Sequence, residues 1–288
     1  MMPDIEPPGV SVSRLFIYPV KSCGGIEVRE AVVEKRGFRH DRRWMVVDRN
    51  GIYMTQRNHP RLALVRTTIA ADGLHLSARG MTESVTPLEA DDGDPVDVVV
   101  WEDRISVRSV DRRIDRRLSD FMQMECRLVY FPGTTKRTVD PVYGKDGDEV
   151  GFADSFPFLI LTQSSLDDLN RRLNEPLPVN RFRPNILLRG NEPYEEDRWS
   201  SVRIGTIPFR LPKPCARCVT TTVDQETAAT GSEPLRTFSA YRLSADRKPL
   251  FGWKAIADAP GLIRRGDRVE VSGFRASESI PVTRQAVP

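Results

Sequence analysis

The stretch Lys213-Pro-Cys-Ala-Arg-Cys-Val-Thr-Thr-Thr-Val-Asp224 sets two thiols, Cys215 and Cys218, on either side of Arg217 and close in sequence to Lys213. A neighbouring cation favours the thiolate, which is the form that ligates soft metals. A cysteine-poor chain with one such cysteine is what a single-thiolate metal centre would look like. Three other readings stand beside it. A closed structural zinc site needs four ligands, yet His40, His59 and His75 are scattered far upstream. A thioredoxin-like redox pair would open a helix in a βαβ unit, whereas the β-branched run Val219-Thr-Thr-Thr-Val223 reads as a strand. The third is a pair of buried, inert cysteines at a strand start, against which the cations beside the thiols argue.

Three more groupings carry charge at turns. Tyr18-Pro-Val-Lys-Ser22, followed by Gly24-Gly25, puts an ammonium, a hydroxyl and backbone N–H groups on one turn, a combination that can hold a phosphate. His40-Asp-Arg-Arg-Trp44 is a charged cluster entering a strand, and alone it reads as a surface ion-pair patch. Arg181-Phe-Arg-Pro-Asn185 sets two arginines before a proline and an amide after it, which could clamp an anion or simply cap a turn.

These residues must be positioned by a β-rich chain. Short alternating segments follow one another: 12–18, 27–34, 43–48, 52–55, 62–69, 74–77 and 96–100 in the first half. Asn50-Gly51 is a hairpin turn and Asp72-Gly73 another. Val110, Ile114, Leu118 and Phe121 recur at helical spacing within 109–122, and 127–131 is again a strand. The segment 134–150 is polar, contains Gly and Pro, and reads as a mobile loop or boundary. Beyond it, 156–161 reads as a buried strand and 164–174 as a helix, with further strands at 186–188, 202–204, 208–211, 219–223 and 269–271. The expected class is mainly β (α+β), barrel-like, with two or three short helices.

The 288 residues suffice for one large or two ordinary domains. A net charge of +3 with both signs interspersed does not call for nucleic acid. Cys23 and Cys126 complete a set of four cysteines that does not suggest a disulfide scaffold. The start of the chain is acidic and Pro-rich, unlike a signal peptide, and no apolar run approaches the ~20 residues of a membrane span. A cytoplasmic location without a membrane partner is expected.

Four motifs in this order, Tyr-Pro-Val-Lys-Ser22, Asp-Arg-Arg-Trp44, Phe-Arg-Pro-Asn185 and Cys-Ala-Arg-Cys218 running on to Asp224, resemble the MOSC family, in particular the branch with an N-terminal MOSC β-barrel module that includes the mitochondrial amidoxime reducing component and bacterial relatives. Pro249-Leu-Phe-Gly252 and Gly266-Asp-Arg-Val269 extend the likeness. The resemblance implies a β-rich N-terminal module over 10–131, a MOSC domain over 132–275, flexible tails at 1–9 and 276–288, and a cofactor cleft between the modules. It further implies molybdenum carried by molybdopterin, with Cys218 as the metal's protein ligand. Ala216 and Arg217 would sit beside the metal and the pterin. Lys21, Ser22 and Arg42 would hold the cofactor from the first module, and Arg183, Asn185, Ser155 and Phe156 from the second, Phe156 through its backbone. Lys254 falls where the relatives carry a tyrosine and is the weakest carry-over.

The reaction so implied is two-electron reduction of an N-hydroxylated substrate, such as an amidoxime, a hydroxylamine or an N-hydroxylated base, to the amine or amidine and water. Glu192, Asp197 and Tyr194, in the loop after the Arg183–Asn185 segment, are the candidate proton donors, the other reading being an acidic loop in solvent. No cysteine follows Cys218, so the 2Fe–2S module of some relatives is expected to be absent. Electrons would then come from a separate ferredoxin-, flavodoxin- or cytochrome b5-like donor with its reductase. Two alternatives remain open: a non-catalytic carrier of molybdopterin or of sulfur on Cys218, and an adaptor with inert thiols.

Overall fold

The computed structural model describes residues 9–276. The tails expected at 1–9 and 276–288 lie outside them, apart from residues 9 and 276. Strands dominate, with three α-helices among the described residues. The largest sheet has eight strands in the order Val269–Phe274, Trp199–Ile204, Ile207–Ala216, Leu250–Ala257, Phe158–Thr162, Ile186–Arg189, Ser11–Ile17 and Ile26–Val28. Its two ends meet. Ser11 bridges Arg268, and Val269 N donates to Val10 O at 2.8 Å. The sheet is thereby curled into a barrel, and closure removes exposed strand edges. Its interior is filled by Leu15, Ile160, Ile186, Trp199, Phe209 and Trp253, all buried.

The first strand of the chain thus belongs to the barrel built by the second half. Its antiparallel partner is Ile186–Arg189, with Leu15 opposite Ile186. Ser11–Ile17 therefore lies with the second half, across the boundary expected at 131/132.

Glu30–Glu34 and Gly37–Phe38 also pair into the second half, forming a three-stranded sheet with Gly261–Arg264. The chain from Trp44 to Tyr130 builds a four-stranded sheet in the order Trp44–Asp48, Cys126–Tyr130, Asp103–Ser109, Pro95–Val100, and a three-stranded one from Arg66–Ala70, Gly73–Ala78 and Met81–Thr86. Helix Arg112–Met122 packs between them through Ile114, Leu118 and Phe121. Asp111 starts that helix by accepting from Arg113 N at 2.6 Å, and Gln123 ends it in the left-handed region. The Asn50-Gly51 turn forms as expected. Asp48 Oδ1 accepts from the Asn50 and Ile52 N–H groups, and Gly51 sits at φ +77, where a Cβ would fall 2.7 Å from Asp97 O.

Several readings of the sequence need correction. Val219–Thr222 is a 3₁₀ turn, not a strand. The strand beside it is Ile207–Ala216, which leads into the cysteines rather than away from them. The helix expected at 164–174 is Gln163–Arg171, capped by Thr162. The segment 134–150 is pinned by the Thr138–Glu149 bridge, by buried Val139 and Val150, and by ion pairs from Lys35 and Arg36 to Glu149. Helix Leu235–Tyr241 and strands Met81–Thr86, Asp103–Ser109, Leu250–Ala257 and Gly261–Arg264 were not anticipated.

Candidate functional site

Strand Ile207–Ala216 delivers Cys215 and Ala216 to a cleft and stops there. Arg217 N then donates to Pro249 O at 2.8 Å, which keeps the chain against the neighbouring strand. Cys218 caps the 3₁₀ turn, and its carbonyl accepts from both the N–H and the hydroxyl of Thr221, at 3.0 and 2.9 Å. Thr222 Oγ1 likewise donates to Val219 O. These hydroxyls supply the local hydrogen bonds that turn a β-branched run into a turn. Arg181 braces the turn from outside, donating to Thr222 O at 2.8 Å and to Asp224 Oδ2 at 2.9 Å. The two arginines of Arg181-Phe-Arg183 therefore divide their work, and only Arg183 faces the cleft.

Arg183 and Arg42 both pack on the buried Tyr18 ring, 4.3 and 4.4 Å from its centroid. Burial pushes the Tyr18 phenol up to about 12, the flanking cations opposing it, and pulls the Arg183 guanidinium down to about 10. Gly25 is needed here, since a Cβ on it would lie 2.4 Å from Tyr18 Cε1. Arg42 Nη1 donates to Asp41 and to Asn185 Oδ1, the latter at 3.0 Å, so Asn185 ties the two motifs together. Ser22, Arg42 and Arg183 all line the cleft, and all hold φ between 47 and 67, the left-handed region that costs a side chain energy. Three of the nine non-glycine residues with positive φ among the described residues thus line this cleft.

Lys21 is buried and donates to Phe152 O at 2.7 Å and to Asp154 at 2.5 Å. Burial lowers its ammonium to about 8, with Asp154 opposing the change. Desolvation disfavours the charge on Asp154, but Lys21, Arg57 and Lys254 beside it outweigh that effect and hold the carboxyl below its usual range. Lys254 donates to Ser155 Oγ at 3.0 Å and lies 5.2 Å from the Phe156 ring centroid. Arg57 covers the Trp101 ring at 4.3 Å, and Trp101 Nε1 donates to Asp154.

Lys21, Ser22, Arg42, Ser155, Phe156, Arg183, Asn185, Ala216, Arg217, Cys218 and Lys254 thus line one open cleft with about 890 Å³ of empty space, its mouth included. The cations in it are Lys21, Arg42, Arg57, Arg183, Arg217 and Lys254, against the single carboxylate of Asp154. Arg183 Nη2 and Arg217 Nε are buried and have no hydrogen-bond partner among the described residues. Buried donors of this kind cost stability unless something accepts from them. Anionic groups of a ligand would satisfy both. The half-buried Cys218 thiol faces the same space, and among the described residues no three His, Cys, Asp or Glu side chains gather to enclose a metal.

The expected proton donors are elsewhere. Glu192 is exposed, and its N–H is held by Glu195. Tyr194 bonds Asp168 and Tyr241, and Asp197 is buried in an ion pair with Arg242. None of the three lines the cleft. Arg57, Asp154, Thr220 and Thr221, none of them a candidate from the sequence, line it too, as does Phe182 of the Phe-Arg-Pro-Asn185 motif. The threonines lie in view within the run after Cys218, but its β-branched composition reads as a strand. Arg57 and Asp154 sit in segments with no motif of their own.

Family models match the chain in two places. Residues 9–125 fit the MOSC N-terminal beta barrel domain, and residues 147–270 the MOSC domain. The chain is 35% identical to mitochondrial amidoxime-reducing component 1 of Mus musculus, over 91% of this chain and 82% of that one. To component 1 of Homo sapiens it is 35% identical over 91% and 83%, and to component 2 of Rattus norvegicus 34% over 90% and 82%. Motifs, barrel and relatives agree: the chain belongs to the MOSC family, as a protein carrying both the MOSC N-terminal β-barrel domain and the MOSC domain.

Proposed function

We propose that the protein is a molybdenum-cofactor-dependent oxidoreductase that reduces N-hydroxylated compounds, amidoximes, hydroxylamines or N-hydroxylated bases, with electrons from a separate donor protein. The observation that carries this reading is the meeting of four distant motifs in one cationic cleft, where Cys218 shares the space with two buried, unpartnered guanidinium nitrogens. Relatives named amidoxime-reducing components point to the same chemistry.

The donor set fits a phosphorylated, thiolate-bound cofactor. In this reading Cys218 contributes the protein ligand to molybdenum, and Arg183 Nη2 and Arg217 Nε donate to the cofactor's anionic groups. Lys21, Ser22, Arg42 and Lys254 add cations and a hydroxyl, and Asn185 fixes Arg42. Phe156 and Phe182 add apolar walls to the cleft. The bound cofactor supplies two-electron reducing chemistry at the cleft. Reduction to the amine or amidine and water consumes two protons with the two electrons; Glu192, Tyr194 and Asp197 lie outside the cleft, and in this reading both protons come from solvent at its open mouth.

The test is reduction of benzamidoxime to benzamidine by cofactor-loaded protein with reduced viologen as donor. Turnover in the wild type and none in Cys218→Ser is expected. Loaded protein that binds the cofactor yet reduces no N-hydroxylated compound would instead make it a carrier.

A further inference from the structure

The proposed function leaves Cys215 without a task, although it shares the cleft with Cys218. Both thiols are free and half-buried. Their surroundings differ. Arg217 Nη1 donates to Cys215 Sγ at 3.0 Å, and its Nη2 donates to Phe182 O at 2.7 Å. The backbone N–H of Arg217 is fixed on Pro249 O. The guanidinium is therefore held at both terminal nitrogens and at its own backbone, and only Nε, buried and unpartnered, is left over. The arginine between the two cysteines engages one sulfur and leaves the other uncommitted, since Cys218 Sγ makes no hydrogen bond among the described residues.

From this geometry we infer that Cys215 is a positioning residue. Its sulfur anchors Arg217 so that Nε presents its hydrogen to the cofactor, while Cys218 serves as the metal ligand. The inference rests on the molybdenum reading and assigns a task to the second thiol. It distinguishes two kinds of substitution. Serine keeps an acceptor at position 215, whereas alanine removes it and frees Nη1, so the planar fork can rotate away. A thiol needed as a ligand or as a redox partner would be lost equally in both.

The experiment measures pterin and molybdenum retained per chain after equal dialysis, for wild type, Cys215→Ala, Cys215→Ser, Arg217→Met and the Cys215→Ala/Arg217→Met double variant, all produced in a molybdopterin-competent host. Far-ultraviolet circular dichroism checks that each is folded. Retention should fall about tenfold in Cys215→Ala, as for loss of a hydrogen bond to a charged group. Cys215→Ser should stay within about twofold of wild type. The double variant should be no worse than Arg217→Met alone, because Cys215 acts through Arg217. Unchanged retention in Cys215→Ala overturns the inference, as does equal loss in Cys215→Ser or an additive loss in the double variant. Should Cys215→Ala fail to fold, the Cys215→Ser result still decides, since a loss there removes the anchoring role. Wild type without pterin overturns the molybdenum reading and this inference with it, whereas loaded wild type beside an unchanged Cys215→Ala overturns the inference alone.

Discussion

At the scale of residues, the cleft works by leaving donors unsatisfied. Arg183 is held by Cys23 O through Nη1 and packed on Tyr18, which leaves Nη2 with nothing to bond. Arg183→Met should therefore weaken retention of the cofactor by at least about tenfold, measured as pterin per chain. Glu192→Gln should leave both retention and benzamidoxime turnover within about twofold of wild type, because Glu192 does not reach the cleft. A large loss of turnover in that variant would show that the loop after strand Ile186–Arg189 does reach the reacting atoms. The residues that a motif carries were legible in the sequence, as Lys21, Arg42, Arg183 and Cys218 show. Residues that enter the cleft because of how a loop folds, such as Arg57 and Asp154, were not. Their role depends on partners more than 40 positions away, as in the bonds from Lys21 and Trp101 to Asp154.

At the scale of elements, the sequence was legible where one periodicity dominated. Helix Arg112–Met122 shows a clean apolar stripe and an aspartate cap. Asp111→Ala should cost about 1 kcal/mol, seen as a lower denaturant midpoint with an unchanged slope. An unchanged midpoint would mean the cap contributes nothing. The run after Cys218 was misread because β-branched residues favour strands on average, while here threonine hydroxyls satisfy carbonyls three residues earlier and close a turn. Strand Met81–Thr86 was missed for the opposite reason. Its Thr82 and Glu83 are exposed and polar, and pairing with Gly73–Ala78 holds it in place more than its own composition does.

At the scale of the whole molecule, closure of the barrel brings the motifs together. Ser11–Ile17 runs beside Ile186–Arg189, so the turn at Lys21 and Ser22 is set beside Arg183 and Asn185 from a distant part of the chain. That strand order could not be read from local pattern. A buried acidic cluster outside the cleft links the fold to pH. Glu196 accepts from Thr162 and Ser165 through Oε1, has no partner at Oε2, and lies next to the Asp197–Arg242 ion pair. Burial, reinforced by the charge of Asp197, pushes its carboxyl from 4.5 up to about 7. The folded chain then holds the extra proton across that window, and stability falls as pH rises through it. Glu196→Gln should be more stable than wild type near pH 8, by on the order of 2–3 kcal/mol, with the gap closing toward about pH 5. Thermal melts across that range check it, and a constant gap would contradict it. The proposed ligation of molybdenum by Cys218 in a molybdopterin cleft is tested by metal and pterin analysis of wild type and Cys218→Ser from a molybdopterin-competent host. We predict about one molybdenum and one pterin per chain in the wild type, with the metal lost from the variant. Zinc in place of molybdenum, or neither metal nor pterin in the wild type, would contradict the account.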